Sequence, residues 1–422
     1  MHMPFMIWLV GNVALVGIAL AFIVPAIIIT SYLAMVIVKP HRYPRIIGGR
    51  SSKMQKILSS IPLLQSCPRG PLDFSTTLQL IVFALQGQWQ ERNFEKDYVT
   101  EDETITVTLP GRSAEKGDDV VSIRWICRET NSAPRELPEQ APIVLLCPGL
   151  NCYTASLPGT AIYSVLLQHP WRVGVFEKRG VGPSAGSRFL QMPVFHMFGH
   201  PSDLHEAVLQ IQKRFPGAPL YLVGISSGNG LVGSYSTLYG NEATSLRSSM
   251  LLIGGEDYNC AFRAPRSTWL TRMLFDVVLL GTSKARYLEK NAKVLRSKNE
   301  DAWNAAHRSM THQQFYDIVM RHFSGYSDPD EAESRINAFS GGCENLRNLA
   351  KPFLYVCTED DPVAPGGPRE SWVSVIKQCE NAALAYFPCG SHLACYDSLR
   401  LTRWLDQLVV QWIDAFELVS KE

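Results

Sequence analysis

Residues 221–230 read Tyr-Leu-Val-Gly-Ile-Ser-Ser-Gly-Asn-Gly, so an apolar run leads directly into a Gly-x-Ser-x-Gly motif. This order predicts a strand, a sharp turn and a helix, the context in which such a serine acts as a nucleophile. Gly224 and Gly228 are needed at the turn because a side chain there would collide with the neighbouring strand or helix. The pattern predicts Ser226 as the nucleophile, with the dipole of the following helix directed at its oxygen.

A second Gly-x-Ser-x-Gly motif, with Ser184 at its centre, lies at residues 182–186. Residues 177–181 separate it from the preceding apolar run, and Pro183 restricts the turn. No strand therefore leads directly into this serine. We interpret the second copy as a glycine-rich loop and prefer Ser226.

Apolar runs and helical patterns alternate along the chain, which predicts an α/β protein with a mainly parallel sheet. Residues 143–147 are apolar throughout, as expected for a strand that is buried on both faces. Residues 103–110 and 120–127 alternate apolar and polar positions, which predicts an antiparallel hairpin at the sheet edge. Further strands are predicted at residues 173–176, 220–225, 250–253, 353–357 and 383–387, and helices at residues 154–167, 203–215 and 401–419.

Residues 256–348 interrupt this alternation with a long, mainly helical block in which aromatic and charged residues are interleaved. Because predicted strands of one sheet flank the block, we expect an inserted lid above the nucleophile rather than a separate domain. The predicted organisation is an anchor (residues 1–40), a linker with packing helices (41–100), the first part of the core (101–255), the lid (256–348) and the second part of the core (349–422).

A serine nucleophile needs a base, and the base needs an orienting carboxylate. In such a sheet the partners follow the serine in the order Asp, His, each after a later strand. Asp361 and His392 meet this order, because each follows a predicted strand by one short loop. Asp361 is preferred to Asp360 because a proline and an apolar residue follow it, and Asp360 is expected to cap a helix or to face water.

An acyl-transfer site also needs two backbone N–H groups that bind the developing oxyanion. One is expected from Ser227, the residue after the nucleophile. The other is expected from Leu150, in the loop that follows the predicted strand at residues 143–147.

Composition excludes several other classes of function. The chain has 40 basic and 39 acidic residues, so no net field favours nucleic acid as a partner. The ten cysteines show no Cys-x-x-Cys pair and no ligand-like spacing with histidine, so neither a metal nor a cofactor is expected. We interpret these cysteines as free thiols in a reducing compartment.

Residues 3–38 contain no Asp, Glu, Lys or Arg, and a membrane helix needs only about 20 apolar residues. Either one span kinked at Pro25 or a re-entrant hairpin fits this run. The cations that follow place the rest of the chain on the cytosolic side by the positive-inside rule. These are Lys39, Arg42, Arg45, Arg50, Lys53 and Lys56.

Together these features resemble the membrane-anchored α/β-hydrolase domain-containing proteins 1, 2 and 3 and their bacterial, fungal and plant relatives, the AB hydrolase type-4 family. The resemblance covers roughly residues 57–415. It rests on the apolar amino terminus, the nucleophile elbow (the Gly-x-Ser-x-Gly turn at residues 224–228), the segments 178–184, 200–204 and 360–362, and Gly390-Ser391-His392. It implies an α/β-hydrolase fold with a helical lid and an amino-terminal transmembrane anchor.

The resemblance also implies hydrolysis of lipid esters such as acylglycerols or phospholipids, at the endoplasmic reticulum or another endomembrane. Some relatives transfer acyl groups to alcohols, and His392 with Asp397 matches the His-x4-Asp pattern associated with that activity. An alternative for Asp397 is a cap on the terminal helix. An alternative of another class is an inactive hydrolase fold that serves as a membrane receptor or scaffold.

Overall fold

A computed structural model describes residues 26, 29–30, 43–108, 119–128, 137–156, 160–182, 189–194, 196–254, 269–325, 346–347, 349–365 and 370–419. Within these ranges, no helix combines the length and the apolarity that crossing a membrane requires. The anchor predicted at residues 1–40 lies almost entirely outside them, and so do the centre of the second Gly-x-Ser-x-Gly motif and the turn of the predicted edge hairpin.

A single sheet of nine strands organises the described part of the chain, in the order β1-β9-β8-β7-β6-β4-β5-β3-β2. The strands from β9 to β5 in this order are parallel, whereas β1, β3 and β2 each pair antiparallel with a neighbour. The strands are β1 (Arg45–Gly48), β2 (Tyr98–Val107), β3 (Asp119–Arg128), β4 (Ile143–Cys147), β5 (Arg172–Glu177), β6 (Leu220–Ile225), β7 (Leu246–Leu252), β8 (Phe353–Thr358) and β9 (Ala382–Phe387).

The strand order brings the ends of β4 and β6 side by side. The chain leaves β4, adds β5 on one side, and then crosses to place β6 on the other side of β4. In open α/β sheets, ligands bind at such a switch point, beyond the carboxyl ends of the strands. The predicted oxyanion loop follows β4 and the predicted nucleophile follows β6, so both lie at this edge.

Helices cover both faces of the sheet, because the side chains of its central strands point alternately to two apolar cores. In β6, Tyr221 and Val223 belong to one core and Leu222 to the other. The described helices before the inserted block are α1 (Ser52–Ser59), α2 (Thr76–Asp97), α3 (Ala161–Leu166), α4 (Pro201–Arg214) and α5 (Gly228–Leu238).

The block predicted to be helical is mainly helical between residues 269 and 323, with short breaks at residues 290–291, 299 and 309–311. It contains α6 (Trp269–Met273), a π-helical turn (Leu274–Leu279), α7 (Leu280–Ser283), a second π-helical turn (Lys284–Glu289), α8 (Ala292–Lys298), α9 (Glu300–Arg308) and α10 (His312–Phe323). Its buried side chains form a third apolar core together with residues 181, 190, 197 and 198, and Leu150 and Tyr153 of the loop after β4 pack against this core. The chain then returns to the sheet, where α11 (Glu370–Ile376) and α12 (Trp404–Val419) complete its two faces.

Several elements differ from the sequence predictions. Strand β1 is not predicted, yet its four residues pair with β9 and extend the sheet. Helix α3 spans only Ala161–Leu166, because residues 154–156 form a turn in which Thr154 binds the buried carboxylate of Glu177. The terminal helix begins at Trp404 rather than at residue 401.

Candidate active site

Ser226 lies in the sharp turn between β6 and α5, with a backbone φ of +55°, in the left-handed region that costs free energy for a residue other than glycine. The flanking glycines are there because neighbouring backbone leaves no room. A Cβ on Gly228 would lie 2.0 Å from the carbonyl oxygen of Cys147, and one on Gly224 would lie 2.7 Å from the carbonyl oxygen of Gly228. The turn therefore holds the half-buried Ser226 at the edge of the sheet.

His392 reaches the serine from the loop after β9. Its Nε2 lies 2.9 Å from the Oγ of Ser226. The loop is tightly wound, with positive φ at Gly390, Ser391 and Leu393. Thr358, at the end of β8, donates a 2.8 Å hydrogen bond to the Ser391 carbonyl and fixes the loop against the neighbouring strand.

Asp361 holds the other nitrogen of the imidazole. The Nδ1 of His392 lies 2.9 Å from Oδ2 of Asp361 and 3.1 Å from Oδ1. The backbone N–H groups of Val363 and Ala364 donate to Oδ1 at 2.7 and 3.1 Å, so the carboxylate is itself held in place. Asp361 and His392 are both buried, and the serine, the histidine and the aspartate form one continuous chain of hydrogen bonds.

Asp360 has a role that the sequence does not reveal. The expectation that it caps a helix or faces water is wrong, because its Oδ1 accepts a hydrogen bond from the backbone N–H of Ser391. Burial raises the pKa of this carboxyl, and hydrogen bonds from the loop backbone oppose that rise. Two adjacent carboxylates thus hold one loop. Asp360 binds the loop backbone at Ser391, and Asp361 binds the ring of His392.

The loop after β4 lies directly against the serine. A Cβ on Gly149 would lie 3.2 Å from the Cβ of Ser226 and 3.6 Å from its Oγ. Asn151 follows, with φ +60°. It connects the loop to the helical block, because its side-chain nitrogen donates to the Leu279 carbonyl and its side-chain oxygen accepts from Ser283.

An ion pair joins three segments near this loop. Arg286 of the helical block donates to the Asn151 carbonyl at 2.7 Å and pairs with Glu91 of α2 at 2.8 Å. The hydroxyl of Tyr153 donates to the same carboxylate at 2.7 Å. The sequence carries no pattern that identifies these partners, because they are distant along the chain.

Two segments on which the family resemblance rests meet in a buried ion pair. Arg179, the second residue after β5, donates twice to the carboxylate of Asp203 at 2.6 Å. Asp203 lies in the first turn of α4, where a negative charge is favoured. These residues stabilise the scaffold around the site rather than the reacting groups.

Asp397, the acidic residue of the His-x4-Asp pattern, belongs to a local turn. Its side chain accepts a hydrogen bond from the hydroxyl of Thr402, and its backbone N–H donates to the Thr402 carbonyl at 3.0 Å. It does not cap the terminal helix, which begins at Trp404. Among the residues that the structure describes, no cluster of His, Cys, Asp and Glu is suited to bind a metal ion.

A mainly parallel sheet with a serine after one strand and a histidine and an aspartate after two later strands defines a serine hydrolase with the α/β-hydrolase fold. Residues 138–398 match the model of the family described as "Serine aminopeptidase, S33", and the chain belongs to this hydrolase family.

Proteins with similar sequences are named as hydrolases of this kind. The mouse protein Phospholipase ABHD3 is 22% identical over 306 residues, which cover 70% of this chain and 68% of that protein. The Monoacylglycerol lipase of Saccharomyces cerevisiae is 21% identical over 262 residues, 60% of this chain and 55% of that protein. The chain thus spans about two thirds of the first relative and about half of the second. The predicted family and the predicted enzyme class, a serine carboxylic-ester hydrolase, are confirmed.

Among solved structures, an esterase of Pyrobaculum calidifontis matches with a TM-score of 0.45 and 15% identity, over 81% of this chain and 93% of that chain.

Proposed function

We propose that this protein cleaves carboxylic esters of lipids through an acyl-enzyme formed on Ser226. One observation carries the proposal: the serine Oγ lies 2.9 Å from His392 Nε2, and His392 Nδ1 lies 2.9 Å from Asp361. These are the contacts that a histidine needs in order to accept the serine proton while a carboxylate orients its ring.

In the proposed mechanism, the Oγ of Ser226 attacks the ester carbonyl as His392 takes its proton. Asp361 keeps the Nδ1 proton on its own side of the ring and stabilises the imidazolium that forms. The backbone N–H groups of Leu150 and Ser227 bind the oxyanion, and the N-terminus of α5 adds its dipole. His392 returns the proton to the leaving alcohol, and water then releases the acid by the same steps. The reaction uses neither a metal nor a cofactor.

Lipid esters are the proposed substrates for two reasons. The two relatives above are named for the cleavage of phospholipids and monoacylglycerols. The helical block beside the Leu150 loop exposes large apolar side chains, among them Trp269 and Val277, as a lid that admits acyl chains would. We therefore propose the block at residues 256–348 as the lid.

We also propose that residues 3–38 anchor the enzyme in a membrane, with the catalytic part on the cytosolic side. The support is the length of this uncharged run and the cations that follow it. We expect the protein to remain in the membrane during alkaline carbonate extraction. Deletion of residues 1–42 should abolish this resistance. Protease added to sealed vesicles with the cytosolic face outward should digest the large domain, and its protection would contradict the orientation.

Labelling with a fluorophosphonate probe tests the catalytic proposal. The detergent-solubilised wild type is compared with Ser226→Ala and with two controls, Ser227→Ala, which retains the backbone N–H, and Ser184→Ala in the second motif. Labelling lost only in Ser226→Ala is expected, followed by hydrolysis in a panel of acylglycerols and phospholipids. A folded wild type that neither labels nor hydrolyses any ester would contradict the proposal and favour a receptor or scaffold.

A further inference from the structure

The ammonium group of Lys178 is buried beneath the loop that follows β4. Lys178 comes directly after β5 and is only 2% exposed. Its Nζ donates to the carbonyl oxygens of Gly149 at 2.9 Å, Met197 at 3.3 Å and Pro148 at 3.5 Å. All these acceptors are main-chain carbonyls, so none of these hydrogen bonds supplies a counter-charge.

A buried cation held in this way opposes folding. Burial lowers the pKa of Lys178 to about 8, because the charged form has lost most of its hydration. The titratable groups that face it are the thiols of Cys147 and Cys152, which raise its pKa when ionised, and His196. Burial holds the pKa of His196 well below its usual range. A methionine would fill this space without the desolvation penalty, so the charge needs a functional reason.

The peptide that joins Gly149 to Leu150 supplies that reason. The described part of the chain contains no cis peptide bond, so the Gly149 carbonyl and the Leu150 N–H point in opposite directions from one rigid plane. The Gly149 carbonyl accepts from the Lys178 ammonium at 2.9 Å and from the Cys152 backbone N–H at 3.3 Å, and fixing this carbonyl fixes the direction of the Leu150 N–H as well. This peptide begins at Gly149, where an added Cβ would lie 3.2 Å from the Cβ of Ser226.

We infer that Lys178 is a positioning residue for the oxyanion hole. It holds the Gly149 carbonyl so that the Leu150 N–H faces the acyl oxygen of the substrate. The inference rests on the proposed function, because it assigns a role to a group behind the proposed hole. The cation also polarises the amide and favours the negative charge that develops on the other side of it.

This arrangement makes the rate depend on the charge of Lys178. Below its folded pKa of about 8 the ammonium is present. As the pH rises through that value the charge is lost, and the neutral amine retains its hydrogen bonds but not its field. The turnover number kcat therefore falls above pH 8, whereas KM changes little, because the oxyanion exists only during the reaction.

The test measures kcat and KM for a p-nitrophenyl ester between pH 6 and pH 9.5, with the full chain in detergent. Lys178→Met removes the donor and the charge, and Lys178→Gln keeps a donor without the charge. The matched control is Lys290→Met, because Lys290 also donates to backbone carbonyls, those of Val181 at 2.9 Å and Gly182 at 3.1 Å. Thermal unfolding of each variant reports whether the fold is kept.

We expect Lys178→Met to unfold at or above the wild-type temperature and to lose at least about 10-fold in kcat, since losing one oxyanion donor costs about 10²–10³-fold. Its decline above pH 8 should disappear, and Lys178→Gln should recover part of kcat without restoring that decline. A folded Lys178→Met with wild-type kcat and pH profile overturns the inference alone. A wild type that neither labels with fluorophosphonate nor cleaves any ester overturns both the inference and the proposed function.

Discussion

The side chain of Asp360 accepts a 2.8 Å hydrogen bond from the backbone N–H of Ser391, the residue that precedes His392 in the chain. Its neighbour Asp361 binds the ring of His392 instead. One carboxylate therefore fixes the position of the histidine backbone, and the other fixes the orientation of its imidazole. Replacement of each should have a different consequence.

Asp360→Ala leaves the Ser391 N–H without its acceptor and loosens the histidine loop. We expect a loss of about 1–3 kcal/mol in the free energy of unfolding, the cost of leaving a buried donor unsatisfied, and a lower kcat with little change in KM. Denaturant unfolding and ester kinetics measure the two effects. The control is Glu359→Ala, because Glu359 is exposed and adjacent. Equal behaviour of the two variants would contradict the role of Asp360.

Asp361→Asn should keep the fold and lower kcat by about 10⁴-fold, the loss seen when the carboxylate of a serine–histidine–aspartate triad becomes an amide and the wrong imidazole tautomer is favoured. Fluorophosphonate labelling rates and ester kinetics report the loss. A variant within 10-fold of the wild type would exclude Asp361 as the orienting carboxylate.

Gly228→Ala places a Cβ 2.0 Å from the carbonyl oxygen of Cys147, so the elbow helix and β4 must separate. We expect a loss of at least about 2–3 kcal/mol of stability, in the upper range for overpacking, together with loss of labelling. Gly87→Ala is the matched control, since nothing lies within 4 Å of its added Cβ in helix α2. That control should gain about 0.5–1 kcal/mol, because alanine is the better helix former. A stable, active Gly228→Ala would contradict the packing at the elbow.

The carboxyl of Asp73 should make stability depend on pH. Burial raises its pKa from 3.8 to about 6, so between these values the folded chain binds more protons than the unfolded chain. Stability from this group is then present in acid and is lost as the pH rises through about 6. Asp73→Asn should reduce the decrease in the free energy of unfolding between pH 4 and pH 6 by up to about 3 kcal/mol.

Asp97→Asn, at an exposed position of α2, makes the same change of charge and serves as the matched control. Unfolding free energies at a series of pH values give both curves, and parallel curves for Asp73→Asn and the wild type would refute the raised pKa.

The sequence predicts the central strands because continuous apolar runs such as residues 143–147 satisfy the requirement for burial on two faces. The order of Ser226, Asp361 and His392 is also readable, because each follows such a run. Strand β1 is not predictable from the sequence, because its four residues, Arg-Ile-Ile-Gly, are recognisable as a strand only through their pairing with β9. The same limit applies to Asp360 and Lys178, whose partners are backbone groups that folding brings near.

Strand β1 has a consequence for the solution behaviour of shortened chains. Residues 45–48 form one edge of the sheet, opposite the edge formed by β2, and they cover a row of hydrogen-bonding groups on β9, whose side chains are nearly all buried. An enzyme that starts at residue 43 keeps this cover, whereas one that starts at residue 51 presents an apolar edge strand that other chains can pair with. The first should stay monodisperse during gel filtration, and the second should self-associate even though its serine, histidine and aspartate are all present.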